Sequence, residues 1–519
     1  MNIGKLTVHG FLENSAAKYP DKIALIHDSQ NYTYSEIERL VNNLARTLAA
    51  CGVKQSDRVV FIFHNSIEYV VSYYAAMKCG GVAVPLSSDI KGAGLKSILS
   101  ELEGAALLTS SKFDDVLSDA DLPAFGLKAL IVKNPLKMSG SDAEHTVSWD
   151  DAVKGDNTEF NVLIPSGSLA SIIYTSGSTG VPKGVMLTHS NIAANTESIC
   201  SFLKLTDNDR QMVVLPFFYV MGKSLLNTHF AAGASVVINN KFAYTASVLK
   251  QMEEFAVTGF SGVPSTYAYL LHRSPIASYR ERLSSLRYCS QAGGHMPKQI
   301  KEGLRKVLPD HTEIFIMYGA TEASARLTYL PPEWFGEKIE SIGIAIPGVT
   351  MKVLDNDGNT LHAGETGELV GSGPNIMQGY WKDSGLTAKV LDSNGYHTGD
   401  LGYADEDGFL YLVGRKDSLL KSGGHRINPQ EVEDSLIGTG LLVEAAVIGV
   451  PDDLLGNRLV AYAVTINSET SENEILERCS RLLPRYKVPA EVRLLKALPK
   501  KSSGKIDKSA CTELFKSGS

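Results

Sequence analysis

The stretch from Tyr174 to Gly184 carries four serine or threonine hydroxyls, three glycines and one lysine. Glycines let the backbone approach a ligand closely, and consecutive N–H groups in such a turn form a concavity that binds anions. The hydroxyls add neutral donors, and Lys183 adds a positive charge. This combination predicts a loop that binds a polyphosphate. The residues expected to contact it are Thr175, Ser176, Gly177, Ser178, Thr179, Gly180 and Lys183.

Two other interpretations of this loop are a Walker phosphate loop and a flexible surface segment. A Walker loop ends in Gly-Lys-Ser/Thr, whereas Lys183 lies between Pro182 and Gly184, so no hydroxyl follows it to hold magnesium. A surface segment fits poorly, because the apolar run at 169–173 predicts a buried strand before the loop. A helix start is also predicted after the loop, at Thr188.

A second set of polar residues follows the apolar run at 313–316, which predicts a strand. Tyr318 can offer a flat ring to a base, Thr321 a hydroxyl, and Glu322 a hard oxygen ligand for Mg²⁺. Residues at the ends of strands in α/β sheets commonly bind ligands. Alone, this segment is more typical of a helix N-terminus with a threonine cap. Together with the loop at 174–184, it favours a nucleotide site.

The elements that must position these residues alternate between strands and helices. The run at 58–63 predicts a strand, and helical spacing covers 34–50. The alternation recurs from 191 to 316, which argues for layered α/β units around largely parallel sheets. From 342 to 412, short strands separated by Asp/Asn-Gly turns predict a small β-barrel-like part. The last hundred residues predict a mixed α+β domain.

Composition narrows the function classes. The chain of 519 residues is 44% hydrophobic and has a net charge of −7 without a long run of one sign. No basic patch with interleaved aromatics occurs, which argues against nucleic-acid binding, and no apolar stretch is long enough to predict a membrane span. The six cysteines contain no Cys-x-x-Cys pair, which predicts reduced thiols in a cytoplasmic protein. Monomer and homodimer both remain open.

Six segments resemble, in their order along the chain, the motifs of the adenylate-forming (AMP-binding) superfamily. This superfamily includes acyl-CoA synthetases, aryl-CoA ligases, luciferases and the adenylation domains of peptide synthetases. The resemblance extends over essentially the whole chain. The segments are 174–184, 292–297, 317–322, 397–400 with 414–415, 421–427 and 499–505.

The resemblance implies roles for individual residues. Tyr318 would stack on adenine, Thr321 would contact a phosphate, and Glu322 would bind Mg²⁺. Asp400 would accept bonds from the ribose hydroxyls, and Arg415 would bridge ribose and phosphate. Further nucleotide contacts are implied for Gly294, His295 and Gly319, and catalytic roles for Lys505, Glu322, Thr175 and Lys183.

The resemblance also implies two domains that move relative to each other. We expect an N-terminal adenylation domain at 1–413, a charged hinge at 414–417 and a mobile C-terminal domain at 418–519. Rotation about Asp417 would replace Lys505 by a loop that passes a pantetheine thiol. The residues of this thiol channel would be Ser422, Gly423, Gly424 and Arg426.

The implied reaction is that of an acid–thiol ligase. A carboxylic acid attacks the α-phosphate of MgATP to give an acyl-adenylate and pyrophosphate, and a phosphopantetheine thiol then takes the acyl group and releases AMP. The thiol belongs either to CoA or to an acyl carrier protein. Three alternatives remain: an amino-acid-activating carrier-protein ligase, a luciferase-like oxygenase, and a silent binding module. The joint presence of Lys183, Glu322, Asp400, Arg415 and Lys505 argues against the last.

The identity of the acid is the least determined part. Acyl- and aryl-CoA ligases usually have histidine at the position of Tyr219, and α-amino-acid-activating domains usually have aspartate. An ordinary α-amino acid is disfavoured, because its buried ammonium would lack a carboxylate partner. Tyr219 either shortens the pocket or bonds a polar acyl substituent through its hydroxyl, which favours a small or medium acid, hydroxylated in the second case. The residues expected to line its pocket are Tyr219, Val220, Met221, Gly262, Val263, Gly293 and Ala320.

Overall fold

The structure is a computed structural model that describes residues 7–134, 144–156, 158–176, 182–416 and 418–517. Its strands fall into two large sheets and three small ones. Within the described ranges, no helix combines the length and the apolar character needed to cross a membrane.

The strands have the following bounds: β1 (Ile23–His27), β2 (Gln30–Thr33), β3 (Arg58–Phe61), β4 (Val82–Pro85), β5 (Ala106–Ser110), β6 (Ala129–Lys133), β7 (His145–Ser148), β8 (Leu169–Ser176), β9 (Pro182–Thr188), β10 (Arg210–Val213), β11 (Ser235–Ile238), β12 (Gly259–Gly262), β13 (Tyr288–Gln291), β14 (Glu313–Tyr318), β15 (Thr328–Leu330), β16 (Ile344–Ala345), β17 (Thr350–Leu354), β18 (Gly367–Ser372), β19 (Gly379–Tyr380), β20 (Leu391–Asp392), β21 (Gly395–Ala404), β22 (Leu410–Arg415), β23 (Leu420–Ser422), β24 (His425–Ile427), β25 (Leu442–Asp452), β26 (Gly456–Thr465) and β27 (Glu491–Leu494).

The helices have the following bounds: α1 (Val8–Lys18), α2 (Tyr34–Ala50), α3 (Ile67–Lys78), α4 (Gly92–Leu102), α5 (Asp114–Ala120), α6 (Trp149–Ala152), α7 (His189–Phe202), α8 (Val220–Ala232), α9 (Thr245–Glu254), α10 (Pro264–Arg273), α11 (Ile276–Tyr279), α12 (Lys298–Val307), α13 (Ser384–Val390), α14 (Pro429–Gly438), α15 (Glu472–Leu482) and α16 (Lys508–Lys516).

The two large sheets have parallel centres, with antiparallel pairing at the β19 edge of one and at both edges of the other. One has the order β19-β9-β8-β4-β3-β5-β6-β7 and the other β16-β15-β14-β13-β12-β10-β11-β1-β2. Every residue of the central strands β4 and β12 is buried, as expected where helices cover both faces of a parallel sheet. The predicted layered α/β architecture is therefore confirmed.

The small sheets follow later in the chain. Strands β17, β18, β20, β21 and β22 form an antiparallel sheet, which corresponds to the predicted barrel-like part. Strands β23 and β24 form a hairpin, and β25, β26 and β27 form a three-stranded sheet flanked by α14, α15 and α16. The predicted small α+β region at the C-terminal end is thus present.

Local sequence explains where the site-bearing helices begin. Thr188 caps α7: its hydroxyl accepts a bond from the Asn191 N–H, and the Asn191 side chain bonds the Thr188 N–H in return. The sequence analysis predicted this start but not the strand before it. Strand β9 forms because Val185 and Leu187 alternate inward from Pro182 onward. The described parts of the polyphosphate loop consequently belong to two antiparallel strands.

Candidate active site

The base of the predicted polyphosphate loop is a paired β-hairpin. In the register of β8 and β9, Thr175 stands opposite Lys183 and Ser176 opposite Pro182. The backbone therefore holds Thr175 and Lys183 side by side. The rest of the loop, which includes Gly177, Ser178, Thr179 and Gly180, lies outside the described residues.

Tyr380 connects this hairpin to Glu322. Strand β19 pairs with β9 and brings the Tyr380 ring within 5.8 Å of the Lys183 Nζ. The Tyr380 hydroxyl donates to Glu322 Oε1 at 2.8 Å. Burial, followed by the Glu322 charge, raises the pKa of Tyr380, so the phenol stays a protonated donor. Two motifs that lie about 140 residues apart in sequence thus meet here.

The donor set at Glu322 fits a magnesium ion that arrives with its nucleotide. Mg²⁺ is commonly held by one or two carboxylates together with substrate phosphates and water. In the part of the chain that the structure describes, no group of three or more His, Cys, Asp or Glu side chains is arranged to hold a metal ion. A single carboxylate next to a polyphosphate loop matches the first arrangement rather than a resident metal centre.

Tyr318, Asp400 and Arg415 form a second cluster. Tyr318 is the last residue of β14, and its hydroxyl donates to Asp400 Oδ2 at 2.6 Å. Pairing of β21 with β22 sets Asp400 opposite Arg415, whose guanidinium lies 3.1 Å from Asp400 Oδ1. Burial, followed by the Asp400 charge, raises the pKa of Tyr318 well above its ordinary value. The cluster offers an aromatic ring, a carboxylate and a guanidinium in one place.

The glycine-rich turn after β13 adjoins this region. Gly293 has a φ of +86°, and a Cβ there would lie 3.4 Å from the Lys505 Cε. The Gly294 carbonyl accepts a bond from the Gln291 side chain at 2.7 Å. His295 Nε2 lies 3.0 Å from Asp434 Oδ2 on α14. This turn therefore touches both the Lys505 segment and the C-terminal helices.

Lys505 lies on a tight turn that is docked against α10. The Lys501 N–H donates to the Lys505 carbonyl at 2.8 Å, which closes the turn. The Ser265 hydroxyl donates to the Gly504 carbonyl at 2.8 Å, and Lys505 Nζ lies 5.4 Å from the centre of the Tyr219 ring. The predicted catalytic lysine and the predicted acid pocket are thus in contact.

A cavity of about 220 Å³ opens beside Lys505. Residues of α10, the Gly293–Gly294 turn, α14 and the start of β25 line it. It therefore lies where the C-terminal elements meet the large sheets.

The residues of the predicted thiol channel lie elsewhere. They belong to the β23–β24 hairpin, in which the Gly423 N–H donates to the Leu455 carbonyl at 2.9 Å. The His425 ring stacks on Tyr486 at 4.1 Å. Gly424 and Arg426 are exposed. The structure does not bring this hairpin to Lys505, and the predicted hinge residue Asp417 lies outside the described residues.

The residues predicted to hold the acid gather around Tyr219. Tyr219 is the N-cap of α8, and Val220 and Met221 in the first turn of that helix are buried. Val263 is buried, and its Cγ1 would lie 3.2 Å from a Cβ on Gly293. The others are Gly262, which is buried at the end of β12, and Ala320, which is half-buried after β14.

The sequence analysis did not identify two residues that contribute to the site. Tyr380 lies in the dipeptide strand β19, and Asp434 lies among several acidic residues near α14. Neither has a local pattern that separates it from a surface residue. Only the pairing of β19 with β9 and the packing of α14 near His295 give these residues a place at the site.

Comparison with known families matches two parts of the chain. Residues 12–381 match the family described as AMP-binding enzyme, and residues 431–505 match the AMP-binding enzyme C-terminal domain.

Two similar proteins and one solved structure extend the match to nearly the whole chain. The long-chain-fatty-acid–CoA ligase of Bacillus subtilis is 31% identical over 96% of this chain and 93% of its own length. The oxalate–CoA ligase of Arabidopsis thaliana is 31% identical over 98% of each. The o-succinylbenzoate CoA synthetase of Bacillus subtilis, solved with its acyl-adenylate intermediate, is 29% identical with a TM-score of 0.80 over 96% of each chain. The same enzyme has also been solved with ATP and magnesium ion.

Proposed function

Because the chain belongs to the family of AMP-binding enzymes, we propose that it joins a carboxylic acid to CoA with cleavage of ATP to AMP and pyrophosphate. The observation that carries the proposal is the docking of the Lys505 turn on Gly293 and Tyr219, in the region that also receives Tyr318. The relatives named above are CoA ligases, which favours CoA over a carrier protein as the acceptor.

In the first step, a carboxylate oxygen attacks the α-phosphorus of ATP, and the bond to the bridging oxygen breaks as pyrophosphate leaves. Lys505 stabilises the negative charge that accumulates on the attacked phosphoryl group. Thr175 and Lys183 bind the departing phosphates at the hairpin base, where β8 and β9 hold them opposite each other. Magnesium, held at Glu322, supplies charge neutralisation to the phosphates.

The nucleoside is held by the second cluster. The Tyr318 ring stacks on adenine, and its hydroxyl orients Asp400 through the 2.6 Å bond. Asp400 then accepts bonds from the ribose hydroxyls, while Arg415 fixes the other carboxylate oxygen. The turn of Gly293 to His295 closes one edge of the base site.

In the second step, the CoA thiol attacks the acyl carbon, the bond from that carbon to the AMP oxygen breaks, and the thiol proton passes to solvent. The β23–β24 hairpin carries Gly423 and Gly424, whose lack of side chains leaves room for a pantetheine arm. It reaches the site by a rotation of the region 418–519 about Asp417. That hinge, and the division at 414–417, remain proposals.

The experiment that tests the reaction is acid-dependent pyrophosphate release. Short, medium, aryl, hydroxy and amino acids are offered with MgATP, with CoA and an acyl carrier protein added in separate reactions. We expect pyrophosphate from one class of acid and the matching acyl-CoA. Release of pyrophosphate only when an acyl carrier protein is the acceptor would make that protein, rather than CoA, the proposed thiol acceptor. Absence of AMP with every acid would overturn the proposed reaction.

The state of the thiols supports the proposed cellular setting. All six cysteines are free and buried, which fits the cytoplasmic location predicted from the sequence. Burial raises the pKa of Cys289 to about 12, so this thiol near the site is an inert packing residue. Sedimentation at several concentrations would decide between the monomer and the homodimer.

A further inference from the structure

Arg326 lies directly behind the segment that carries Tyr318 to Glu322. The chain turns sharply at Ser324 and Ala325, with φ of 57° and 139°. A Cβ on Gly319 would lie only 2.7 Å from the Arg326 Cα, so glycine there lets the two segments touch. The Arg326 side chain is 2% exposed. Arg326 is therefore buried directly against the segment that carries the nucleotide motif.

The backbone of Arg326 is held in place from two sides. Its carbonyl accepts a bond from the Asn195 side chain at 2.9 Å and another from the Asn375 side chain at 3.0 Å. Both asparagines are themselves buried. The backbone of Arg326 is thus held in place before any ligand arrives, which reduces the ordering cost of binding.

The guanidinium has weak partners for a buried cation. Its Nε faces the Met317 thioether sulfur at 3.1 Å, and one terminal nitrogen donates to the Ala325 carbonyl at 3.2 Å. Sulfur is a poor acceptor, and a guanidinium has five N–H donors. Within the described ranges, these two partners of the Arg326 side chain are a sulfur and a carbonyl oxygen, and neither carries a counter-charge. A buried charge without a counter-charge is costly, so the missing partner is expected to arrive with a ligand.

The charge state of Arg326 supports this expectation. Burial lowers its pKa to about 10, and the nearby Tyr219 opposes the shift. At neutral pH the group is therefore still a cation. Tyr219, which interacts electrostatically with Arg326, also lies beside Lys505.

Lys223 is another buried basic residue, and it is the weaker candidate. Its Nζ lies 5.0 Å from the centre of the Tyr73 ring on α3, and it has no hydrogen-bond partner among the described residues. Burial lowers the pKa of Lys223 well below its ordinary value, which favours the uncharged amine.

We propose that Arg326 binds a second anionic group of the acid substrate, so that the enzyme prefers dicarboxylic acids to monocarboxylic acids of equal length. The inference rests on the proposed acid–CoA ligase function. One carboxylate reacts near Lys505, and the other forms a bidentate pair with the guanidinium. Tyr219 interacts electrostatically with Arg326, and its ring centre lies 5.4 Å from the Lys505 Nζ, which favours a short or medium distance between the two carboxylates.

The test compares dicarboxylic acids with their monomethyl esters, which lack the second charge and carry one additional methyl group. Aliphatic and aryl pairs are offered to the wild-type enzyme and to Arg326→Met, and kcat/KM is measured by pyrophosphate release. We expect the wild type to prefer the diacid by about 100-fold or more, because a site built for a polar group is left unpaired by the analogue. In Arg326→Met the preference should vanish, with turnover of the ester retained.

Two further variants make the result specific. Arg326→Lys should keep part of the preference because it keeps the charge, which a merely structural role would not explain. Lys223→Met removes the buried amine of Lys223. The ratio of kcat/KM for the diacid to kcat/KM for the ester should stay unchanged in this variant.

The possible outcomes distinguish the role of Arg326 from the proposed ligase function. Turnover of monocarboxylic acids alone by the wild type, or an unchanged diacid preference in Arg326→Met, overturns the role of Arg326 and leaves the ligase function intact. Absence of turnover with every acid, in the wild type and the variants, overturns both.

Discussion

Two turns of the C-terminal region stand in different surroundings, although the proposed reaction needs both at one site. The turn at Lys505 is docked, with Gly504 bonded to Ser265 and the lysine beside Tyr219. The hairpin at Gly423 instead bonds to Leu455, at the turn between β25 and β26. One turn is at the site and the other is on the outer part of the small sheet.

Both turns are attached to the same sheet, and this links their positions. Lys500, at the start of the docked turn, lies 3.0 Å from Glu444 on β25. Strands β23 and β26 are in contact at the opposite end. A rotation that moves the hairpin inward therefore withdraws Lys505. Under the proposed reaction, this arrangement is assigned to the adenylation step, and the thiol step requires movement.

The largest effect is expected from loss of the docked lysine. Lys505→Ala should lower acid-dependent pyrophosphate release by about 100- to 1000-fold, because one charge-stabilising group is lost from the transition state. Thioester formation from a supplied acyl-adenylate should stay near the wild-type rate. Lys516→Ala, which removes an exposed lysine from α16, serves as the control. Equal loss of both half-reactions would contradict the division of work between the two turns.

A smaller effect, on the thioester-forming step instead of the adenylation step, is expected from a substitution in the β23–β24 hairpin. Gly424 has a φ of +81° and open space at its Cβ, so Gly424→Val strains the backbone without a clash. Such strain costs about 1–2 kcal/mol, and we expect thioester formation to fall roughly tenfold with pyrophosphate release unchanged. The matched control is Gly440→Val, since Gly440 has a φ of +74° and similar open space after α14. Equal effects from the two variants would remove the hairpin from the thiol step.

The smallest effect concerns Lys301, a buried lysine on α12. Lys301 on α12 is buried, donates to the Ile339 carbonyl at 2.6 Å and interacts electrostatically with Asp434 on α14. Burial lowers its pKa from 10.5 to about 8, so the folded state disfavours the charged form. Protonation below pH 8 therefore costs stability, and this cost is relieved as pH rises from about 8 to 10.5.

The measurement is the difference in Tm between the wild type and Lys301→Met. This difference should shift in favour of the wild type by roughly 2 °C between pH 7.5 and 9.5. Lys306→Met, at an exposed position on the same helix, should show no such trend. A flat difference for Lys301→Met would mean that this lysine titrates normally in the folded protein.

Much of the fold was predictable because local signals and long-range packing agree. The Thr188 cap, the apolar strands and the Gly turns each have a sequence pattern, and the predicted α/β class and the adenylate-forming family are confirmed. Strand β9 was not predicted, since Pro182 and Gly184 weaken the strand pattern and pairing with β8 and β19 compensates.

The site was predictable only where several residues form a motif. Tyr318, Asp400 and Arg415 come together as the sequence analysis expects. Tyr380 and Arg326 did not stand out, because a single tyrosine or arginine has no spacing to mark it. Their roles depend on which strand lies beside β9 and on how the chain folds back behind Gly319.

The most direct test of the account joins α12 to α14 and so holds Lys505 in place. Gln299 and Gly438 face each other there, with a Cβ on Gly438 only 3.2 Å from the Gln299 side chain. Gln299→Cys and Gly438→Cys are linked by a short, reducible bis-thiosulfonate reagent, and the native thiols are buried. We predict that the linked enzyme still releases pyrophosphate with acid, forms no acyl-CoA, and regains acyl-CoA formation after reduction. Acyl-CoA formation at the unlinked rate while the link is intact would contradict the alternation of the two turns.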